Sequence, residues 1–373
     1  MKILISGDFC PRYRVQNLID EGKVSEVLSQ VKQITQTADY SIVNFECPVV
    51  IQEAEPIAKQ GPNLKTNVSG LEAVGYAGFN CVALANNHFY DYGENGVKDT
   101  LESLHKLGID CCGGGVNIDE ASEILYKDIN GKTLAIINCC EHEFSIATEK
   151  KGGSNPLNPI KQFYDIQKAK QHADFVLMIV HGGHEFYQLP SIRMQETYRF
   201  FIDAGADAII NHHQHCFSGY EYYHGKPIFY GLGNLCFDQD PIIADETWNY
   251  GYMVTLLLTD TTIQSEIVPY KQCGEKAEVT LLPQNALDEK LEELNTIIAD
   301  EKALRKAMED YYEQTSVAMG HSLLEPIQNR FFNAARKRNL LPSFISMKAK
   351  LRAENFICCE SHRDKLIYFL NNK

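Results

Sequence analysis

Short apolar runs alternate with amphipathic segments over the first 260 residues, and this alternation is the feature that most limits the fold. A continuous apolar run of about four to eight residues is typical of a strand covered on both faces, whereas apolar residues at helical spacing indicate a helix with one buried side. The pattern therefore predicts an α/β fold with a mainly parallel sheet covered by helices. The predicted strands are 3–6, 40–45, 81–85, 134–138, 175–180, 208–211 and 228–232, and the predicted helices are 24–35, 69–77, 96–107, 160–172 and 192–204.

The composition changes after about residue 265. Residues 285–312 are rich in Glu, Lys, Leu and Ala, with leucines at helical spacing, which predicts one helix with a buried face. Two further helices are predicted at 323–339 and 346–356. We therefore expect an α/β domain over residues 1–270, followed by a helical C-terminal extension with a basic tail over residues 271–373.

The charge of the chain limits its partners. It carries 49 Asp and Glu against 35 Lys and Arg, a net charge of −14, although ten Lys and Arg against three Asp and Glu make residues 326–373 basic. Since a general nucleic-acid-binding protein needs a basic face, no nucleic-acid partner is expected. No apolar run approaches the roughly 18 residues that span a bilayer, and no signal peptide is recognisable, so we predict a cytoplasmic protein without a membrane span.

The twelve cysteines contain no C-x-x-C pair, and most lie in apolar runs. This usage is typical of buried, reduced thiols that act as small apolar side chains. A disulfide framework is therefore not expected.

Polar side chains follow five predicted strands at the points where the strands end. Because the carboxyl ends of parallel strands share one edge of a sheet, we expect these side chains to meet at one rim. Turn chemistry explains an Asp or Asn after one strand, but not this mixture after five. The residues are Asp8 with Cys10, Asn44 with Glu46, Asn87 with His88 and Asp91, His181 with His184 and Glu185, and His212 with His213 and His215.

Carboxylate, amide and imidazole groups together suit Zn, Mn or Fe better than Ca or Mg, which prefer oxygen ligands. A paired-metal site needs a bridging carboxylate and two or three further ligands for each ion. Two divalent metal ions are therefore expected, and His88, next to a ligand, is the candidate general acid that protonates a leaving group. The expected ligands are Asp8, Glu46, Asn87, His181, His213 and His215.

Several side chains at this rim have competing interpretations. Strand alternation places His213 and His215 on one face and His212 on the other, so His212 is expected to point away from the site. Asp91 either caps the following helix or orients His88. His184 is either a site contact or a surface histidine, and Asn234, after a further strand, is expected to be a turn residue rather than a ligand.

At these residues the chain resembles the capsule-synthesis CapA family, which is related to the calcineurin-like metallophosphoesterases. The resemblance runs in order through roughly residues 1–270 and implies a metallophosphoesterase-like β-sandwich flanked by helices. It also implies that Asp8 is a metal ligand, that Glu46 is the bridging carboxylate and that His88 is the general acid. The motifs are Gly7-Asp8, Asn44-Phe45-Glu46-Cys47-Pro48, the blocks 84–93, 181–185 and 203–207, His212-His213-Gln214-His215, and the block 225–234.

One departure from the superfamily pattern concerns the first motif. The superfamily begins with Asp-x-His, whereas Asp8 is followed two residues later by Cys10. Either Cys10 binds a metal as a thiolate, or one of the two metal sites is weaker.

The resemblance implies a metal-dependent hydrolase in which metal-activated hydroxide attacks a phosphoester or a related substrate, in capsule or poly-γ-glutamate biosynthesis. The expected substrate is an anionic small molecule or polymer. Two alternatives stay open. One is a non-catalytic polymer-handling or assembly protein that retains the fold, and the other is a γ-glutamyl amide hydrolase or transferase that uses the same rim.

Overall fold

The computed structural model of the chain describes residues 1–243, 245–259, 262–324, 329–338, 340–341 and 345–358, and it has two large β-sheets. The strands of the first half of the chain are β1 (Lys2–Cys10), β2 (Tyr40–Phe45), β3 (Cys81–Ala83), β4 (Asp110–Cys112), β5 (Gly114–Gly115), β6 (Leu125–Ile129), β7 (Lys132–Cys140), β8 (Gly153–Ser154) and β9 (Phe175–His181). Those that follow are β10 (Ala208–His212), β11 (Tyr220–Tyr223), β12 (Lys226–Phe229), β13 (Asn234–Phe237), β14 (Tyr250–Leu258), β15 (Ile263–Gln272) and β16 (Val279–Leu281).

The first sheet has eight strands in the order β16-β15-β14-β1-β2-β3-β4, and β13 pairs with the C-terminal part of β1. Strands β1 to β4 run parallel, while β14, β15 and β16 are antiparallel additions. The second sheet has six strands in the order β11-β12-β10-β9-β7-β6, with parallel central strands and an antiparallel strand at each edge. Strands β5 and β8 form a separate pair.

The two sheets contact each other through β1 and β10, β4 and β7, and β12 and β15. Ile3 and Leu256 of the first sheet and Leu134 and Val176 of the second line a small gap between them. The single sheet predicted from the strand pattern is therefore wrong, because a buried strand has the same apolar sequence whichever sheet it joins. The sandwich implied by the family resemblance is confirmed.

Helices cover the outer faces of both sheets. Those between the strands are α1 (Tyr13–Asp20), α2 (Val24–Thr35), α3 (Val68–Tyr76), α4 (Gly93–Leu107), α5 (Ile118–Ala121), α6 (Pro159–Lys170), α7 (Ile192–Asp203) and α8 (Glu246–Asn249). Side chains of α1 to α4 join one apolar cluster with β1 and β2, for example Val15, Val27 and Val97 with Phe9 and Phe45. Helices α6 and α7 pack on the central strands of the second sheet.

The C-terminal helices are α9 (Asp288–Ala299), α10 (Glu301–Leu324), α11 (Arg330–Lys337) and α12 (Met347–Cys358). The prediction of one continuous helix over 285–312 is wrong. Asp300 has extended backbone angles, and its carboxylate accepts from Lys302 N at 2.8 Å and Ala303 N at 3.2 Å, so it ends one helix and caps the next. The expected apolar stripe of Leu287, Leu291, Leu294 and Ile298 is buried.

The described chain divides into two compact units, with the boundary between Leu304 and Arg305. Strand β15 passes through residue 270, where the sequence predicts the domain boundary. Residues 359–373, the last part of the basic tail, lie outside the described residues, as do 325–328 and 339 within the predicted helix 323–339. Among the residues described, no helix has the length and apolar character needed to cross a membrane.

The ten cysteines whose side chains the structure describes are free thiols, and nine of them are buried. This agrees with the reduced state predicted from their placement in apolar runs.

Candidate metal centre

The polar side chains predicted to share a rim come together where the ends of strands from both sheets meet. Asp8 lies on β1 and Asn44 on β2, while Glu46 and Asn87 follow β2 and β3. His181 ends β9 in the second sheet. Strand ends of two sheets, rather than one, therefore build the site. The cluster formed by Asp8, Glu46, Asn87, His181, His213 and His215, here called the ligand cluster, is buried.

Gly7 lets the backbone of β1 approach the segment before β13. Asp8 N donates to Gly233 O at 3.1 Å, and a Cβ atom on Gly7 would lie 1.9 Å from that same oxygen. The pairing register of β1 shifts beside this contact, between Asp8 and Phe9. The missing side chain at position 7 thus allows the bend that brings the Asp8 carboxylate to the site.

Glu46 is the least satisfied group in the cluster. Its side chain is 0% exposed, and neither carboxylate oxygen has a hydrogen-bond partner among the described residues. Oε1 lies 3.6 Å from His181 Nε2 and 3.7 Å from His215 Nε2. Burial, together with the nearby charge of Asp8, raises the pKa of Glu46 well above its ordinary range. A buried carboxylate that lies near two imidazole nitrogens and has no hydrogen-bond donor in the described part of the chain fits a role in cation binding.

Two groups of side chains have ligand atoms close enough together to hold an ion. Glu46, His181 and His213 form one group and Asp8, Glu46 and His215 the other, and within each group the ligand atoms lie within 4.8 Å of one another. Glu46 belongs to both groups. This arrangement fits the bridging carboxylate that the family resemblance implies, and its mixed nitrogen and oxygen donors suit Zn, Mn or Fe.

Asn87 lies beside the first group. His181 Nε2 is 3.1 Å from Asn87 Oδ1 and 3.1 Å from His213 Nδ1, so three predicted ligands converge on one point. Burial, reinforced by the neighbouring histidines, lowers the pKa of His181 well below its ordinary value. A neutral imidazole keeps a lone pair available for a metal ion.

The Asp8 carboxylate has two hydrogen-bond donors and a nearby imidazole nitrogen. Asn44 Nδ2 donates to its Oδ1 at 2.8 Å, His213 N lies 3.3 Å from Oδ2, and His212 Nδ1 lies 3.2 Å from Oδ1. Burial acts to raise the pKa of Asp8, but the contacts with His212, His215 and Asn44 outweigh it, so the pKa is lowered. Asp8 therefore keeps its negative charge despite complete burial.

The prediction that His212 points away from the site is wrong. Strand β10 ends at His212, and His213 and His215 have φ angles of 92° and 55°, which lie in the left-handed region. The alternation of side chains between two faces holds only while the backbone stays extended. His212 therefore contacts Asp8, while His213 and His215 turn into the ligand cluster.

Asn234 lies in β13 opposite Asp8, not in a turn as expected. Its Oδ1 is 2.9 Å from His215 Nδ1, and its Nδ2 donates to His215 O at 3.0 Å. The rings of Trp248 and Phe237 lie 5.4 Å and 4.9 Å from the His215 ring. Asn234 thus orients a predicted ligand, with Nε2 of His215 left to face Glu46.

His88 and Asp91 form a buried pair, with His88 Nδ1 2.6 Å from Asp91 Oδ2. The N-cap of helix α4 is Tyr92, so of the two interpretations of Asp91 the structure favours the orientation of His88 over helix capping. Burial lowers the pKa of His88 despite the contact with Asp91. The pair lies beside the ligand cluster because His88 directly follows Asn87.

Two site residues were not found from the sequence. Lys59 forms a buried ion pair with Asp91, and Asn87 Nδ2 donates to Glu143 Oε2 at 2.9 Å. Glu143 follows β7, and its position after the end of a strand is a signal for it in the sequence. Lys59 lies in a long polar loop, where neither a strand end nor a residue spacing marks it.

The remaining candidates lie at the edge of the site. Cys10 is buried in the apolar cluster under α1 to α4 and belongs to neither ligand group, which favours the buried thiol over the thiolate ligand. His184 is half-buried, and Glu185 is exposed. The negative charge of Glu185 still contributes to the raised pKa of Glu46, so Glu185 lies near the entrance of the site.

These features define an α/β sandwich protein with two candidate metal-binding groups that share one carboxylate. The chain belongs to the family of bacterial capsule synthesis proteins, since the family model described as "Bacterial capsule synthesis protein PGA_cap" matches residues 2–239. The resemblance drawn from the motifs is thereby confirmed.

Two curated relatives are named for capsule formation. The chain is 33% identical over 241 residues to "Capsule biosynthesis protein CapA" of Bacillus anthracis, covering 62% of this chain and 59% of the relative. It is 34% identical over 236 residues to "PGA biosynthesis protein CapA" of Bacillus subtilis, covering 62% of each chain. The chain thus spans about three fifths of the length of the relatives it matches.

Among solved structures, a crystal structure described as a novel phosphatase from Mycoplasma pneumoniae is similar over 74% of this chain and 95% of that chain. The TM-score is 0.45 and the sequence identity 15%.

Proposed function

We propose that the chain is a metal-dependent hydrolase that binds two divalent ions of the Mn, Zn or Fe type and acts on a phosphoester or a related substrate. We place this activity in capsule or exopolymer biosynthesis, as the names of the CapA relatives suggest. The observation that carries the proposal is Glu46, a fully buried carboxylate without a hydrogen-bond partner among the described residues, which is shared by two groups of ligands.

The residues present fit a pair of ions. His181 and His213, with Asn87 beside them, would hold one ion, and Asp8 and His215 the other. Glu46 would bridge the two. Divalent ions in such a site supply Lewis-acid activation of water and of the electrophile.

His88 is suited to deliver a proton to the leaving group. Asp91 holds Nδ1 at 2.6 Å, which leaves Nε2, on the opposite edge of the ring, for the leaving oxygen. As the bond between the phosphorus and the leaving oxygen breaks, that oxygen takes the Nε2 proton. The oxygen of water forms the new bond to phosphorus, and the proton that the water releases restores His88.

The family and the names of the relatives favour a second candidate, in which the same site acts on γ-glutamyl amide bonds of a capsule polymer. A polymer-handling protein that binds metal without turnover is the third. Because the whole chain has a net charge of −14, an anionic substrate of any of these kinds would be attracted mainly at the ligand cluster once ions are bound.

Metal analysis of the purified protein, combined with turnover assays, tests the proposal. We expect close to two Mn, Zn or Fe ions per chain and metal-dependent hydrolysis within a panel of phosphate mono- and diesters. His213→Ala is expected to lower that turnover more than about 100-fold, whereas His105→Ala, at an exposed position on α4, serves as the matched control and is expected to leave it unchanged.

The same assays separate the candidates. Hydrolysis of a γ-glutamyl peptide without hydrolysis of any ester would favour the second candidate. Bound metal without turnover of either would favour the third. Absence of bound or activating metal, with His213→Ala as active as wild type, would refute metal dependence.

A further inference from the structure

Lys59 lies in the loop between β2 and α3, yet its side chain is only 1% exposed. Its Nζ forms an ion pair with Asp91 Oδ1 and lies 3.1 Å from His88 Nδ1. It also lies 5.2 Å from the centre of the Phe144 ring. The ammonium group therefore touches both members of the pair that the proposed mechanism uses for proton delivery.

Asp91 joins this loop to His88 through several separate contacts. Its Oδ2 accepts from Leu64 N at 2.7 Å and lies 2.6 Å from His88 Nδ1. Its backbone carbonyl accepts from Ile57 N at 2.9 Å. Lys59 forms an ion pair at Oδ1 while Leu64 N and His88 Nδ1 contact Oδ2, so both oxygens of the carboxylate are engaged. The carboxylate plane, and with it the imidazole ring, is held in one orientation.

Stability alone gives little reason for a lysine at this position. Removing an ammonium group from water is costly, and apolar side chains of similar volume often replace buried ion pairs without loss of stability. An exposed lysine on the same loop, Lys65, contacts the ring of Tyr92 and needs no such burial. What distinguishes Lys59 is that its ammonium lies within reach of His88.

We propose that Lys59 is a positioning residue for proton delivery: it fixes the Asp91 carboxylate and the His88 ring so that Nε2 faces the leaving oxygen. This inference rests on the proposed hydrolase function. This role of Lys59 predicts an effect on turnover that depends on the leaving group of the ester. A leaving group that is a weak base departs without a proton, whereas a strongly basic alkoxide needs one. Loss of Lys59 should therefore affect esters according to their leaving group.

The test compares an aryl phosphate with an alkyl phosphate, each with saturating Mn²⁺, for wild type and Lys59→Met. Methionine is unbranched and only one heavy atom shorter than lysine, and it removes the charge. We expect kcat for the alkyl ester to fall about tenfold or more beyond any fall for the aryl ester, with KM and bound metal unchanged. Lys59→Arg, which keeps the charge, should recover part of the alkyl activity, and Lys65→Met should match wild type on both esters.

An equal fall on both esters would overturn the inference and would leave the proposed function standing. Absence of turnover of both esters by wild type would refute the proposed function and, with it, this inference. If Lys59→Met does not fold, Lys59→Gln decides, since its neutral side chain keeps a polar end beside Asp91 but is shorter and carries no ammonium charge. Selective loss of alkyl turnover in Lys59→Gln supports the role of Lys59, and a wild-type ratio of the two activities overturns it.

Discussion

Replacement of Glu46 by glutamine should make the metal-free protein more stable and abolish its stabilisation by metal. The substitution keeps the shape of the side chain and removes a titratable carboxylate that is 0% exposed and without a hydrogen-bond partner among the described residues. Keeping such a carboxylate ionised costs several kcal/mol even after relaxation, and burying a neutral amide costs less. We expect the metal-free variant to exceed wild type by roughly 1–3 kcal/mol at pH 7.

The sign of the pH dependence follows from the raised pKa of Glu46. The folded protein binds the proton more tightly than the unfolded chain does, so the stability of metal-free wild type falls as pH rises from the ordinary value of 4.5 toward the raised folded value. Glutamine does not titrate. The advantage of the variant should therefore grow with pH above 4.5 and vanish below it.

Metal binding, by contrast, is expected to stabilise wild type more than the variant. Free ion at 100 times its dissociation constant stabilises a protein by about 2.7 kcal/mol for one site. An unfolding entropy of about 2.1 cal/mol/K per residue over roughly 300 residues converts this into a rise in Tm of about 4 °C. Since Glu46 belongs to both ligand groups, the rise in Glu46→Gln should be below about 1 °C.

Scanning calorimetry of chelator-treated protein, with and without Mn²⁺, measures both effects. Glu185→Gln, at an exposed carboxylate near the entrance of the same site, is the matched control and should keep the wild-type response to metal. The reasoning is refuted if Glu46→Gln keeps the full metal-induced rise in Tm, or if its metal-free form is less stable than wild type.

Two further substitutions test the way Asp8 is placed. Gly7→Ala would put a Cβ atom 1.9 Å from Gly233 O, so we expect the free energy of unfolding, measured with urea, to fall by about 3 kcal/mol or more. The control Gly75→Ala, whose Cβ atom would have its nearest neighbour at 3.7 Å, should lower it little. Equal effects of the two substitutions would contradict the close approach at Gly7. His212→Ala should weaken Mn²⁺ binding, measured by titration calorimetry, about 10–100-fold because it removes a contact with Asp8, and unchanged affinity would show that this contact does not matter.

Local sequence predicted the regular elements well where one physical cause dominates. Strand β2 and helix α2 have the predicted bounds, 40–45 and 24–35, because a short run rich in aromatic and β-branched residues favours a strand and a longer 3.6-residue apolar repeat favours a helix. The break at Asp300 was missed, since the apolar spacing continues up to it and the interruption comes from a capping carboxylate.

The sequence predicted those residues of the candidate site that lie at or just after the ends of strands. Asp8, Glu46, Asn87, His181, His213 and His215 all follow or end predicted strands, and the structure brings them together. The contact of His212 with Asp8 was not predictable by alternation, because it depends on left-handed backbone angles just after β10.

The sequence by itself determined the family, the α/β composition and the chemical types of the cluster, since these depend on residue identity and on short-range periodicity. Only the tertiary structure decided that the strands divide between two sheets, that Glu46 is shared by two ligand groups, and that Lys59 reaches His88 across a loop. The physical reason is that partner choice among buried strands, and the burial of a charge beside another, depend on contacts between residues far apart in the chain, which no local pattern encodes.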